Sequence, residues 1–487
     1  MGRARSYGVV TGVLVTATTA GCSLTPMPET PSLVTDIQTQ GSYTHAPAVS
    51  SMRAEPNDWW KGVGGDELHG LVETLIEDSL TLQEARLQAI QAFEGTRLAR
   101  SQRLPGVSVF GEVSAARTQT FGGDFSWSES YTTGVLADFN TDVFGGLRAS
   151  QRAAELNARA SALSVRAAEQ REIALLARNW VSAVTLKRRL DLAERTAASF
   201  RATFELTDQR YGAGSASVSA SDVQIAQQNL ETALVDIPQI ETDLASQFLL
   251  IDEQLARLPG ESEANFVSAV LSVDDIARPI GTPAELLAQR PDVAAAELRY
   301  LAALEDVGAA RSTLYPALSL SASLTFQADT PGEVFDWERH IASLANALTA
   351  PLFQGGALRS QVRLEQAQAE ELATAFARTA LAAVIDVELA LVNLSGLQIQ
   401  REGFLNALET AKLSNELSQG RYQQGLTSIL AVLETQRSLN AAEQNLILTE
   451  QALANAQIDL FLSLGGDWSG EDGPAADLET LLFTDGE

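Results

Sequence analysis

Residues 420–439 read GRYQQGLTSILAVLETQRSL, and residues 209–230 read QRYGAGSASVSASDVQIAQQNL. Each stretch lies between long Ala-, Leu- and Gln-rich segments with helical spacing. Each interrupts that spacing with an Arg-Tyr pair and a glycine three residues after the tyrosine. Glycine readily takes the left-handed conformation that ends a helix, so both stretches read as the turn of a helical hairpin. Arg210 and Arg421 are 421 − 210 = 211 residues apart, and so are Tyr211 and Tyr422, Gly214 and Gly425, and Ser217 and Ser428. A fixed offset across four positions marks a tandem duplication.

Working outward, residues 149–209 contain neither proline nor glycine. Ala153, Leu156, Ala160, Leu163 and Ala167 form one seam, and Ile173, Leu176, Trp180, Ala183 and Leu190 another. A helix of that length spans roughly 90 Å. Apolar stripes facing two ways call for neighbours on two sides. The expected helices are about 149–210 and 219–257 in the first copy, and about 357–419 and 427–464 in the second.

Upstream of each long helix the period changes from helical to alternating. After Leu104-Pro105-Gly106, residues Val107, Val109, Gly111 and Val113 alternate with Ser108, Phe110, Glu112 and Ser114. Pro316 repeats Pro105 at the same offset, and there Leu318, Leu320, Ala322, Leu324 and Phe326 alternate with Ser319, Ser321, Ser323 and Thr325. Strands are expected at about 107–118, 131–140, 317–327 and 341–352. The first pair alone reads as an edge hairpin of a soluble domain. The second has the apolar-out, small-polar-in rhythm of a membrane β-strand. Four strands cannot close a barrel with a lumen, and a bilayer tolerates no open edge, so membrane strands here require several chains to share one barrel.

The composition narrows the function. Lysine plus arginine number 34 against 62 acids, a net charge of −28, which excludes a basic nucleic-acid footprint. Such a surface is first of all a solvated one, and second a lumen or mouth that favours cations. The three histidines, His45, His69 and His340, lack ligand spacing, and the single cysteine forbids an intrachain disulfide. Neither a nucleophile–base set nor a phosphate loop is visible, so no catalytic residue, metal or cofactor is expected.

Arg3 and Arg5 precede a short apolar run that ends in Thr19-Ala20-Gly21-Cys22, the pattern of a secretory signal over residues 1–21. Residues 22–55, rich in Pro, Thr and Ser, read as a tether. Repeat 1 covers 56–260, a connector 261–282, repeat 2 283–466, and an acidic flexible tail 467–487.

Trp59-Trp60, the LLAQRPDVAAAE run at 286–297 and the paired Arg-Tyr-x-x-Gly turns resemble the outer-membrane factor (TolC-like) family, in its NodT-type lipoprotein branch. The resemblance covers about 56–466. It implies an α+β membrane protein: a homotrimer with a twelve-stranded outer-membrane β-barrel continuous with a long periplasmic α-helical barrel. The implied role is the exit duct of a tripartite efflux system, passing small molecules from an inner-membrane transporter and a periplasmic adaptor to the outside. Export of proteins and a periplasmic coiled-coil adaptor are the alternatives. By the same resemblance, Cys22 is lipidated and holds the chain to outer-membrane lipid. Ser221, Asp222, Tyr422 and Glu434 lie at the periplasmic constriction, with Thr427 and Ala431 departing from its usual charges. Gly214, Ser217, Gly425 and Ser428 form adaptor-contacting tips. Arg290, Pro291, Asp292 and Glu297 form the family's structural motif.

Overall fold

The computed structural model describes residues 24–45, 59–119, 122–123, 125–215, 218–266, 271 and 282–465. The signal segment, Cys22, Ser217 and the tail from 467 lie outside these residues. The chain forms two compact units. Of the described residues, one gathers those within 24–28, 94–156 and 301–371, and the other those within 29–93, 157–300 and 372–465.

The elements, in chain order, are α1 (Ser32–Thr39), α2 (Trp59–Asp78), α3 (Leu80–Ser101), β1 (Gly106–Gln119), β2 (Phe125–Asn140), α4 (Gly146–Gly212), α5 (Ala220–Gln254) and α6 (Glu261–Asn265). The second half repeats the six elements from α2 to α5 as α7 (Pro283–Gln289), α8 (Pro291–Ser312), β3 (Ala317–Ala328), β4 (His340–Thr349), α9 (Ala357–Gln423) and α10 (Ile429–Ser463). Helices α4 and α9 are both 67 residues long, and α5 and α10 are both 35. The duplication read from two turns thus extends to whole elements.

In the first unit, β1–β4 form an antiparallel meander in the order β1-β2-β3-β4. The central pairing joins the two repeats: Val135 stands opposite Leu324, and Ala137 opposite Ala322. Directly opposed residues share a face. Val107, Val109, Ala137, Val135, Leu324, Ala322, Leu344 and Leu348 therefore lie on one apolar face across all four strands. Ser108, Ser130, Thr132, Ser319, Ser321, Ser323 and Ser343 lie on the other. β2 begins at Phe125, earlier than its sequence pattern suggests, because Phe125–Ser130 complete the ladder opposite Ser114–Gln119. β4 stops at Thr349, just before Pro351, which has no N–H to donate. Glu305 fixes the adjoining helices: both its oxygens accept from Arg152, at 2.9 and 2.7 Å, and Thr25 Oγ1 donates to it at 2.7 Å.

The second unit holds the main core. Trp60, Val63, Leu68, Val72 and Leu75 of α2 pack with Leu176, Trp180 and Val184 of α4, Phe248 and Ile251 of α5, and Ile458 of α10. Gly64 allows the closest approach: a Cβ there would lie 2.5 Å from Leu68 Cβ and 2.9 Å from the Trp180 ring.

Part of the segment expected to be a tether, residues 29–45, is packed against the second unit's own core. It forms α1 and buries Val34, Ile37 and Tyr43 against Leu286, Leu287, Val384 and Val387. Glu388 then accepts from the backbone N–H groups of Thr44 and His45, at 2.5 and 3.1 Å, and meets His45 Nδ1 at 2.7 Å. Burial works against the charged form, but those donors outweigh it and hold the Glu388 carboxyl below its ordinary value. Single hydrophobic residues spaced through polar sequence carried no period, so the helix was not legible.

Candidate functional site

The two hairpin turns carry the candidate site, and they are nearly identical in backbone. Gly214 and Gly425 have φ of 73° and 72°. The N–H of each donates 2.9 Å to the carbonyl of the tyrosine three residues earlier, Tyr211 or Tyr422. Ser215 N–H donates to Arg210 O at 3.1 Å, and Leu426 N–H to Arg421 O at 2.8 Å. Each turn is thus a helix C-terminus closed by a left-handed glycine.

The return helices begin differently. Ser219 caps α5, whereas Ser428 occupies the cap position of α10. The offset here is 428 − 219 = 209, so the structural counterpart of Ser428 is Ser219 and not Ser217. Two extra residues in the first turn account for the change. Asp222 closes a capping box: its carboxylate accepts from Ser219 N–H and Oγ, both at 2.8 Å, while Ser219 Oγ accepts from Asp222 N–H at 3.3 Å. The carboxylate is turned back on its own helix, where its hydrogen-bond partners are neutral groups of Ser219. Ser221 is exposed beside it. The corresponding box is absent from α10, where Ala431 stands in place of the acid.

Glu434 is 75% exposed and lies 3.5 Å from Arg437, whose Nε donates to Asn229 Oδ1 at 2.9 Å. That link ties α10 to α5. Asp222 and Glu434 are not brought together within one chain.

Tyr422 is only 5% exposed and packs with Phe200, Leu230, Ile429, Val432 and Leu433. Its hydroxyl is buried without a hydrogen-bond partner among the described residues. The guanidinium of Arg210 lies 4.5 Å from the centre of its ring, and Arg210 Nη1 donates to the Tyr422 carbonyl at 3.2 Å. The spacing of the sequence marks Arg210 as part of the repeat but does not disclose this clasp between the hairpins. The duplicated Arg-Tyr pair was its one visible signal.

Below the tips, a buried polar seam joins the helices. Gln436 Nε2 donates to Ser199 Oγ at 3.1 Å and to Thr203 Oγ1 at 2.9 Å. Glu450 accepts from Arg188 at 2.7 Å and lies 3.5 Å from Arg401, so one carboxylate holds α4, α9 and α10.

The motif at 290–297 forms a clamp at the end of α10. Arg290 grips Asp292 with two hydrogen bonds, at 3.1 and 2.8 Å, reaches Asp386 at 3.2 Å and donates to Ser463 O at 3.2 Å. Pro291 starts α8, which leaves no backbone donor stranded. Burial favours a protonated Asp292, but the Arg290 hydrogen bonds and charge outweigh it and lower its pKa. Glu297, grouped with the motif by its sequence, is exposed on α8 and is not a partner of Arg290. Among the described residues no group of three His, Cys, Asp or Glu side chains could hold a metal ion.

The sequence matches the family model described as outer membrane efflux protein over residues 71–256 and 282–466. It is 31% identical to the pyoverdine export outer membrane protein OpmQ of Pseudomonas putida, over 88% of this chain and 92% of that one. It is 30% identical to the outer membrane protein OprJ of Pseudomonas aeruginosa, over 96% and 97% respectively. The fold superimposes on the outer-membrane channel OprN with a TM-score of 0.84, covering 92% of this chain and all of that one, at 24% identity. The repeat that joins a strand pair to a helical hairpin is therefore a shared architecture, and the chain belongs to the outer membrane efflux protein family.

Proposed function

We propose that three copies of this chain close into one channel, the exit duct of a tripartite efflux system working with a periplasmic adaptor and an inner-membrane transporter. One observation carries the reading: the four-stranded sheet has a continuous exposed apolar face and two open edges. Val109 is 77% exposed, Leu344 83% and Leu348 71%. In water that face is costly; in lipid it is matched. The free edges of β1 and β4 each need a partner strand, because a bilayer core leaves unpaired backbone groups unsatisfied. Pairing β4 of one copy with β1 of the next meets both demands and gives a lumen lined by the serine-rich face.

Helix α9 points the same way. Ile385, Val392, Ile399 and Leu413 recur at multiples of seven residues and are all exposed. A heptad stripe without a partner in the chain is supplied with one in a helical tube of several copies.

At the tips, Asp222, whose partners carry no formal charge, gives the mouth its preference for cations, with Glu434 contributing less because Arg437 stands beside it. Gly214, Gly425 and Ser428 offer the small-residue surface on which an adaptor settles, and Ser217 is assigned to it by its place in the sequence alone. Acylation of Cys22 would add a second hold on the outer membrane. The similarity to an outer membrane protein named for pyoverdine export supports a small-molecule cargo.

Native mass spectrometry of detergent-extracted protein, with conductance in planar bilayers, tests the reading. A trimer that opens discrete cation-preferring channels is expected. A monomer that forms no channel would refute it.

A further inference from the structure

The two hairpin tips are copies of one another, yet within a chain they are used unequally. Arg210 of the first turn is spent on Tyr422 of the second, through its ring and its carbonyl. The other half of the duplicated set is left over: Tyr211 is 47% exposed and Arg421 is exposed. The turn backbones that carry the four residues have the same left-handed glycine and matching hydrogen bonds. A contact made from the first tip to the second is therefore geometrically available from a second tip to a following first tip.

We infer that Arg421 of each copy seats over Tyr211 of the neighbouring copy, completing a ring of alternating arginine-on-tyrosine clasps at the mouth. The inference rests on the trimeric duct proposed above. In a closed ring the hairpins alternate first, second, first, second. At each step inside a chain, the leading tip supplies arginine and the following tip tyrosine. The boundary between copies is the same step repeated, with Arg421 leading and Tyr211 following. Arginine is suited to it because its flat guanidinium stacks on an aromatic face while its remaining N–H groups reach a backbone carbonyl. The expected acceptor is the Tyr211 carbonyl, in the role that the Tyr422 carbonyl plays inside the chain.

The two clasps differ in one consequential way. Tyr422 is buried in its own hairpin core, whereas Tyr211 is half open, so the boundary between copies is the weaker of the two. The mouth then opens by separation at the boundaries between copies while each chain keeps its own hairpins together.

A cross-linking experiment on the full chain tests the pair. A variant carrying Tyr211→Cys and Arg421→Cys is treated with a short bis-maleimide, with each single substitution as control for links through the native Cys22. Arg210→Cys with Tyr422→Cys is the matched pair inside one chain. The expected result is conversion of most of the first double variant to covalent dimer and trimer on denaturing gels. The single variants should stay monomeric, and the matched pair should gain one linker per chain without a change in band. A trimer that is intact before labelling, accepts label at both thiols and yields no covalent oligomer would overturn the pair while leaving the trimer standing. Protein that is monomeric before labelling would overturn the duct and the pair together.

Discussion

The guanidinium of Arg210 lies 4.5 Å from the ring centre of Tyr422, a residue 212 positions away, and donates to that residue's carbonyl at 3.2 Å. Arg210 also stands in the last turn of α4, where a cation complements the helix dipole. Arg210→Ala removes a partly buried cation–π contact worth about 0.5–2 kcal/mol and leaves the Tyr422 carbonyl without that donor. The expected outcome is a lowered thermal unfolding midpoint with little change in the resting open probability, since each chain keeps its hairpins together when the mouth opens, and Arg210→Lys should restore the midpoint only in part.

Tyr422→Phe should behave in the opposite sense. The hydroxyl is buried without a hydrogen-bond partner, a condition that costs on the order of 1 kcal/mol or more. Phenylalanine keeps the ring under Arg210 and removes that cost. Thermal unfolding should shift up by a degree or more, with resting conductance unchanged. A lowered midpoint with leaky channels would show that the hydroxyl is bonded to another copy in the assembled mouth.

The Arg290 clamp is structural: Arg290 is largely buried, but Asp292 is 39% and Asp386 50% exposed, so water screens the charges left behind and the loss should fall below the ~3–5 kcal/mol of a fully buried pair. Arg290→Lys keeps the charge but not the fork that grips Asp292, so the loss should be intermediate. Gly465→Ala attacks the same place from the other side: its φ is 83°, and a Cβ would sit 2.9 Å from Arg290 Cγ. Thermal denaturation should rank the variants wild type, then Lys, then Ala at 290, with Gly465→Ala below wild type.

Asp306 carries a pH dependence whose sign is set by its surroundings. Burial first, then the charges of Glu365 and Glu305, push its carboxyl from 3.8 up to about 6. Between those values the folded chain binds more protons than the unfolded one, so stability falls as pH rises through that window and is flat above it. Asp306→Asn should be more stable than wild type at pH 7, and the difference should vanish near pH 4. Unfolding midpoints of both proteins from pH 4 to 7 would check this; a difference that grows on acidification would contradict it.

The two faces of the sheet should respond differently to charge. Leu324→Arg places a cation on the apolar face and costs about 2–4 kcal/mol in the bilayer. Ser321→Arg, on the serine-rich face of the same strand, should fold normally and lower the cation preference of the channel. Folding yield into lipid vesicles and reversal potentials separate the two outcomes. Equal damage from both would mean that the assigned faces are wrong.

The sequence by itself determined the duplication, the strand-then-hairpin order and the apolar alternation, because each is a local periodicity written in neighbouring residues. Pro105, Pro316, Gly214 and Gly425 punctuate those periods and act within a turn or two of themselves. What only the tertiary structure decided are the contacts that join distant segments. Arg210 found Tyr422 instead of a partner on its own helix, Arg290 took Asp386 and the end of α10 instead of Glu297, and Val34, Ile37 and Tyr43 docked on residues some 250 to 350 positions away. Nothing in the spacing of such residues encodes the partner. The choice is made by which long helices pack together, and by which buried charges must then be met.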